Sequence, residues 1–309
     1  MQVYRGPAAP LTSLTLAFDG KILYAGSWDK SVWSWQVDTG EPGRRLHGHT
    51  DFVKALLFIQ LASGRNVVVS GSADATIIIW DTESGLKLHV LKGHTRGILA
   101  LALDPEPTSN DELIIFSASS EPRIRRWVLK QNLATAAEFE AENPVLQHET
   151  SVNALHFDED GDMWTASSDG TCKCLSRVLA WKEDTVLKHG DYVRDLAVDE
   201  LSGLVATVGR NEDVKIWQKE TQTLWHVFAG HFEEITGCVM LPGQVLITVS
   251  IDCTLRKWSL NVSDLKRARE EAAKATETGR SGESLQAVPN PTLTEDEERE
   301  LAELMADDE

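Results

Sequence analysis

The stretch "GSADATIIIWDTESGLKLHVLKGH", residues 71–94, reads as one structural unit: a small-residue turn, an apolar run closed by Trp80-Asp81, a second turn, a short strand-like run, then Gly93-His94. Aligned on the end of the apolar run, the same pattern recurs along the chain. It appears as "SWDKSVWSW" ending at Trp35, "SADATIIIW" at Trp80, "SSEPRIRRW" at Trp127, "SSDGTCKCL" at Leu175, "GRNEDVKIW" at Trp217 and "SIDCTLRKW" at Trp258. The steps are 45, 47, 48, 42 and 41 residues. Each run follows a second short apolar run, such as "NVVVSGS" or "QVLITVS", and before that a third of the form [VIL]-x-[AGSD]-[LC], such as "VKALLF" or "VRDLAV". Strands this short and rich in Val, Ile and Leu, bounded by Gly, Asp and Ser, belong to antiparallel sheets. A period of roughly 40–45 residues holding four such strands marks a propeller blade. Helical repeats fit badly, because turn residues punctuate each unit.

Six residues before each closing position stand Asp29, Asp74, Glu121, Asp169, Asn211 and Asp252, and four residues earlier Ala25, Ser70, Ser117, Thr165, Thr207 and Thr248. Five units open with a histidine four residues ahead of a Val or Ile: His49, His94, His148, His189 and His231. A short polar side chain in the hairpin turn accepts hydrogen bonds from nearby backbone. His, Ser/Thr, Asp and Trp in this order resemble the WD-repeat family, whose four side chains form a buried tetrad locking each blade. The resemblance covers about residues 1–260. It implies tetrads His49–Ser70–Asp74–Trp80 and His231–Thr248–Asp252–Trp258, and a third, His94–Ser117–Glu121–Trp127, with a longer acid. Leu175, Asn211 and the pair Pro7 and Ala25 depart from the pattern, so blades four, five and one are expected to be held more by packing. The fold class is therefore all-β: a propeller of six four-stranded blades over residues 1–261, followed over 262–309 by a helix, a linker and an acidic tail. "QVYRG" lines up with "HVLKG", the outermost strand of a unit, so residues 2–5 are expected to complete the last blade. The family usually has seven blades, and a further N-terminal unit is the alternative count.

Composition narrows the function. A net charge of −18 lacks the basic footprint of a nucleic-acid binder. No run approaches the ~20 apolar residues of a membrane span, and "MQVYRGPAAPL" has no apolar core of signal-peptide length. Cys172, Cys174, Cys238 and Cys253 are too few for a disulfide framework, so a reducing compartment, cytoplasmic or nuclear, is expected. Ser, His and Asp in series could suggest a hydrolase, but the series repeats and no "GxSxG" elbow is present. Cys172-x-Cys174 lacks a second pair at zinc-finger spacing. Neither catalysis, a metal nor a cofactor is expected.

The faces remain. In the family, partners meet the face that carries the turn before the third strand and the start of the first strand. The positions implied here are Trp28, Phe52, Lys54, Asn153, Tyr192, Arg194, Arg210 and Ile251. Trp, Tyr and Arg are enriched in interface hot spots. Tyr192, Arg194 and Arg210 on an acidic protein favour a peptide with acidic or phosphorylated groups. In the tail, residues 295–309 carry nine acids and one Arg, and Leu301, Leu304 and Met305 make a narrow apolar stripe behind a Thr294–Glu297 capping box. That stripe suits either a solvated tail or a short helix that folds on a partner. The expectation is a non-catalytic protein-interaction scaffold, a monomer within a larger complex. A substrate-recognition subunit of a ubiquitin-system complex, or a permanent subunit of a ribosome-assembly or other large complex, are the narrower alternatives.

Overall fold

Runs of Val, Ile and Leu separated by tight polar turns can bury both faces only as strands of stacked sheets, and the chain builds six of them. The structure, a computed structural model, describes residues 3–106, 112–130, 145–261, 263, 264 and 266. Blade one holds β1 (Leu11–Leu16), β2 (Ile22–Ser27), β3 (Ser31–Gln36) and β4 (Leu46–His47). Blade two holds β5 (Val53–Gln60), β6 (Asn66–Ser72), β7 (Thr76–Asp81) and β8 (Lys87–Lys92). Blade three holds β9 (Ile98–Leu103), β10 (Glu112–Ser119), β11 (Arg123–Lys130) and β12 (Val145–Leu146). Blade four holds β13 (Val152–Phe157), β14 (Met163–Ser167), β15 (Thr171–Ser176) and β16 (Lys182–Lys188). Blade five holds β17 (Val193–Asp199), β18 (Leu204–Gly209), β19 (Val214–Gln218) and β20 (Leu224–Phe228). Blade six holds β21 (Ile235–Leu241), β22 (Val245–Ser250) and β23 (Leu255–Ser259). Every sheet is an antiparallel meander with its strands in chain order.

The innermost strands pack in sequence round the ring, β1 on β5, β5 on β9, β9 on β13, β13 on β17 and β17 on β21. Each joint is an apolar cluster. Leu155 and Phe157 of β13, for example, enter the cluster of Ile114, Phe116 and Ile124 on blade three. Cys172 and Cys174 point into such a cluster between blades four and five. Burial pushes the Cys174 thiol up to about 12 and the Cys172 thiol higher still, which keeps both as thiols.

Polar relays tie each blade internally. In blade two the Trp80 indole donates to the Ser70 hydroxyl at 2.7 Å, the hydroxyl meets His49 Nε2 at 2.8 Å, and His49 Nδ1 meets Asp74 at 2.9 Å. A carboxylate only accepts, so Nδ1 carries the ring proton and the serine donates to Nε2. Burial lowers the His49 pKa against the raising effect of Asp74. Burial would raise the Asp74 carboxyl, but hydrogen bonds from Thr76 and Thr50 take it below its usual value. The relay recurs through His231, Thr248, Asp252 and Trp258, all links at 2.8 Å. In blade three Glu121 reaches His94, and Ser117 joins that ring to Trp127.

Blades four and five keep more of this network than their departures suggest. His148 bonds Asp169 and Thr165 at 2.8 Å each, leaving out only the indole that Leu175 lacks. Asn211 accepts from His189 through its amide oxygen at 2.8 Å, because a carboxamide oxygen can stand in for a carboxylate. Blade one is built differently. Asp29 accepts from the Trp33 indole at 2.8 Å and from Arg45 at 2.9 Å.

The expected closure is corrected by the structure. Residues 3–5 do not pair with β23, and the sixth sheet has three strands among the described residues. The Tyr4 hydroxyl instead donates to the Val37 carbonyl at 3.0 Å, and the Trp35 indole donates to the Arg5 carbonyl at 2.9 Å. The reason lies at Ala25. It offers no hydroxyl beneath the indole, and the Arg5 carbonyl takes the N–H in its place. The expectations for residues 262–309, with Leu301, Leu304 and Met305, lie outside the described residues; only Ser263, Asp264 and Lys266 are described there, as helical.

Ser70→Ala tests the relay. It leaves the Trp80 indole and the His49 ring without their shared partner in a fully buried place, at about 1–3 kcal/mol for each unsatisfied group. Chemical denaturation should show a loss of about 2 kcal/mol or more. A loss below about 0.5 kcal/mol would mean that packing alone locks the blade.

Candidate functional site

Every blade carries the same irregularity at the start of its innermost strand. The pairing register slips between Leu11 and Ser13, Val53 and Ala55, Val152 and Ala154, Val193 and Asp195, and Ile235 and Gly237, and blade three slips likewise across Leu99. A bulge leaves its extra residue out of the ladder and re-aims its side chain. The six bulged residues, Thr12, Lys54, Leu99, Asn153, Arg194 and Thr236, all line one cavity of about 680 Å³ at the mouth of the central channel. The bulges build the site.

Trp28 and Ile251 complete the wall of that cavity. Trp28 stacks on Phe52 with ring centroids 4.9 Å apart and planes 13° apart, yet keeps 46% of its surface exposed. Ile251 is 57% exposed. Lys54 stands beside this aromatic pair on the next bulge, with no ion-pair partner among the described residues.

The other candidates are differently occupied. Asn153 donates both amide hydrogens to the scaffold, to Ser168 Oγ at 2.9 Å and to the Val193 carbonyl at 2.7 Å. Arg194 faces Glu234 of the neighbouring blade at 3.5 Å. Arg210 lies over the Tyr192 ring at 5.5 Å, and neither residue reaches the cavity. Of Tyr192, Arg194 and Arg210, the first and last stack on each other outside the cavity lining, while Arg194 lines the cavity and faces a carboxylate. Among the described residues, no three His, Cys, Asp or Glu side chains gather as a metal would require.

Asp195 went unnoticed among the candidates. It lines the cavity wall, and its two oxygens accept the Cys238 and Leu196 backbone N–H groups at 2.9 Å each. Burial pushes its carboxyl up to about 6, against those two hydrogen bonds and Arg194. The signal was present in the repeat. The corresponding positions hold Ser13, Ala55, Ala100, Ala154 and Gly237, so a carboxylate stands where other units keep a small residue.

Comparison with known proteins agrees with this architecture. The family described as "WD domain, G-beta repeat" matches residues 1–36, 40–81 and 143–175. Over 313 aligned positions the chain is 33% identical to an uncharacterized WD repeat-containing protein of Schizosaccharomyces pombe, a match that spans 99% of this chain and 79% of that relative. Shorter stretches resemble parts of larger proteins. The DENN domain and WD repeat-containing protein SCD1 of Arabidopsis thaliana is 29% identical over 114 residues, 37% of this chain and 10% of its own length. WD repeat-containing protein 97 of Homo sapiens is 34% identical over 76 residues, 24% of this chain and 5% of its own length.

The Asp195 carboxyl gives a pH test with a definite sign. Its folded pKa lies above the ordinary value of about 3.9, so its contribution to stability is full below pH 4 and is lost as pH rises through 6. Asp195→Asn imitates the protonated acid. Relative to wild type, the variant should gain roughly 2 kcal/mol between pH 4 and pH 7 in urea titrations. A constant difference across that range would place the carboxyl at an ordinary pKa.

Proposed function

The chain belongs to the WD-repeat family, and we propose that it acts as a non-catalytic scaffold that presents its channel mouth to a peptide motif of a partner protein. Propellers of this family generally bind other proteins. The observation that carries the reading is the Trp28 ring, 46% exposed and stacked on Phe52, in the wall of the same concave site as Lys54 and Ile251. A large, rigid aromatic surface gives contact area at low entropic cost, and a neighbouring ammonium selects a carboxylate or phosphate. The ligand class is thus a peptide with an apolar side chain next to an acidic or phosphorylated one.

The repeated Ser, His and Asp residues support the same reading. The Ser70 hydroxyl is fully buried and already receives the Trp80 indole, so it has no path to a substrate. Its counterparts Ser117, Thr165, Thr207 and Thr248 are equally buried. They serve the scaffold.

Peptides selected from a random library on the immobilised protein should lose affinity for Trp28→Ala by about 30-fold, the worth of one interface hot spot of about 2 kcal/mol. Arg210→Ala, outside the cavity, should bind them as wild type does. Peptides that bind the Trp28→Ala variant unchanged would place recognition on another surface.

A further inference from the structure

The innermost strands of blades four, five and six end at a second concavity. The last residues of β13, β17 and β21, with the turns that follow them, line a groove of about 460 Å³. The mouth described above lies at the other end of these strands, among their bulged first residues. Each turn carries a glycine, Gly161, Gly203 or Gly243, and the residue two ahead of it, Glu159, Leu201 or Leu241, lines the groove. Turn tips ordinarily carry Gly, Asn, Asp or Ser. Here Leu201 is 96% exposed and Leu241 40% exposed. A single bare leucine is ordinary, but these two share one groove with Val198, Met240 and Pro242.

The rest of the groove is acidic. Asp158, Glu159, Asp199 and Glu200 line it, and neither a Lys nor an Arg does. Lys219 lies next to it and is fully engaged. Its ammonium meets Asp158 and Glu200 at 3.0 Å and Asp160 at 3.5 Å. Burial would lower the Lys219 pKa, yet Glu200 and Asp158 hold it above its ordinary value. Five carboxylates against one ammonium leave four negative charges unbalanced. Glu159 and Asp199 form no ion pair among the described residues. Oε1 of Glu200 is shut off from water without a hydrogen-bond partner among the described residues, an acceptor that an incoming N–H would satisfy.

We propose that this groove is a second docking site, which takes a segment of a partner protein carrying an apolar side chain flanked by Lys or Arg. The two leucines and Met240 offer a seat for the apolar residue. The aliphatic stems of Lys or Arg can lie along the same surface while their heads reach Glu159, Asp199 and Glu200. Charge decides against other occupants. A nucleic-acid backbone or an anionic membrane surface would bring phosphates towards the unbalanced carboxylates. A second copy of a chain with net charge −18 meets the same repulsion. The mouth, by contrast, has Lys54 in the same wall as Trp28. The two ends of the channel would then select segments of opposite charge, and one propeller would join two different partners. The groove stands on its own residues, whatever binds at the mouth.

The test pans a random peptide library on the immobilised 309-residue chain and measures every selected peptide against three variants. Leu201 and Glu159 are exposed, so Leu201→Ser and Glu159→Lys should leave the melting temperature unchanged. One class of peptides should carry Leu, Ile or Met between Lys or Arg residues. These should lose about tenfold in affinity or more to each of the two variants, weaken as salt rises, and bind Trp28→Ala as wild type does. Peptides released by Trp28→Ala alone report the channel mouth, so the two readings fail separately. The proposal is overturned if no selected peptide distinguishes Leu201→Ser from wild type, or if those that do are acidic. Sedimentation of the wild-type chain as a dimer that Leu201→Ser splits would put a second copy in the groove and overturn it equally.

Discussion

A sheet of four short strands has two faces, and neither can be covered by the sheet itself. In this molecule blades two to five are roofed by neighbours on both sides, so the ring is a chain of mutual dependence. The clusters that seal the joints are made by two residues of one innermost strand set into the apolar wall of the preceding blade. At roughly 25 cal/mol per Å² of apolar surface removed from water, burial of this kind supplies the main stabilising term. The polar relays do something else. They tie the segment ahead of an innermost strand to the hairpin turn of the same blade, as His49 does through Ser70 and Asp74.

That division of labour explains why the departures from the repeat are tolerated. Blade four loses an indole and keeps a buried leucine; the hydrogen bonds among His148, Thr165 and Asp169 survive without it. Blade one loses the histidine and the hydroxyl together, and the Arg5 carbonyl takes the tryptophan N–H. Polar clamps on the opposite ends of the strands add to the joints. Arg177 pairs with Asp104 between blades four and three, and Lys219 meets Asp158 of blade four at 3.0 Å while pairing with Glu200 of its own blade at the same distance.

Most of the fold was legible because the repeat writes its turns and its closing tryptophan in every unit, whatever else varies. The bulge that follows each histidine was not, since a residue displaced from a ladder has no composition of its own. Positions such as Trp28 and Lys54 could be placed on the right face from the pattern, yet the pattern is silent on competition between side chains. Arg194 looks free along the sequence and is paired across a joint with Glu234. Asn153 looks like a contact residue and is a strut between blades. Ring closure was the hardest to read. Residues 2–5 carry the pattern of an outermost strand, yet Tyr4 and Arg5 bond Val37 and Trp35 of blade one instead of β23.

The four cysteines give the molecule a built-in reporter. Cys172 and Cys174 are sealed inside a joint, and burial raises the thiol of Cys238 well above its ordinary value. Cys253 is exposed, in a left-handed turn conformation two residues beyond Ile251. A maleimide dye added to the native protein would therefore settle at one position, at the lip of the channel, without any engineered residue. Its fluorescence would change when something enters the mouth, turning an accident of thiol burial into an optical readout of occupancy.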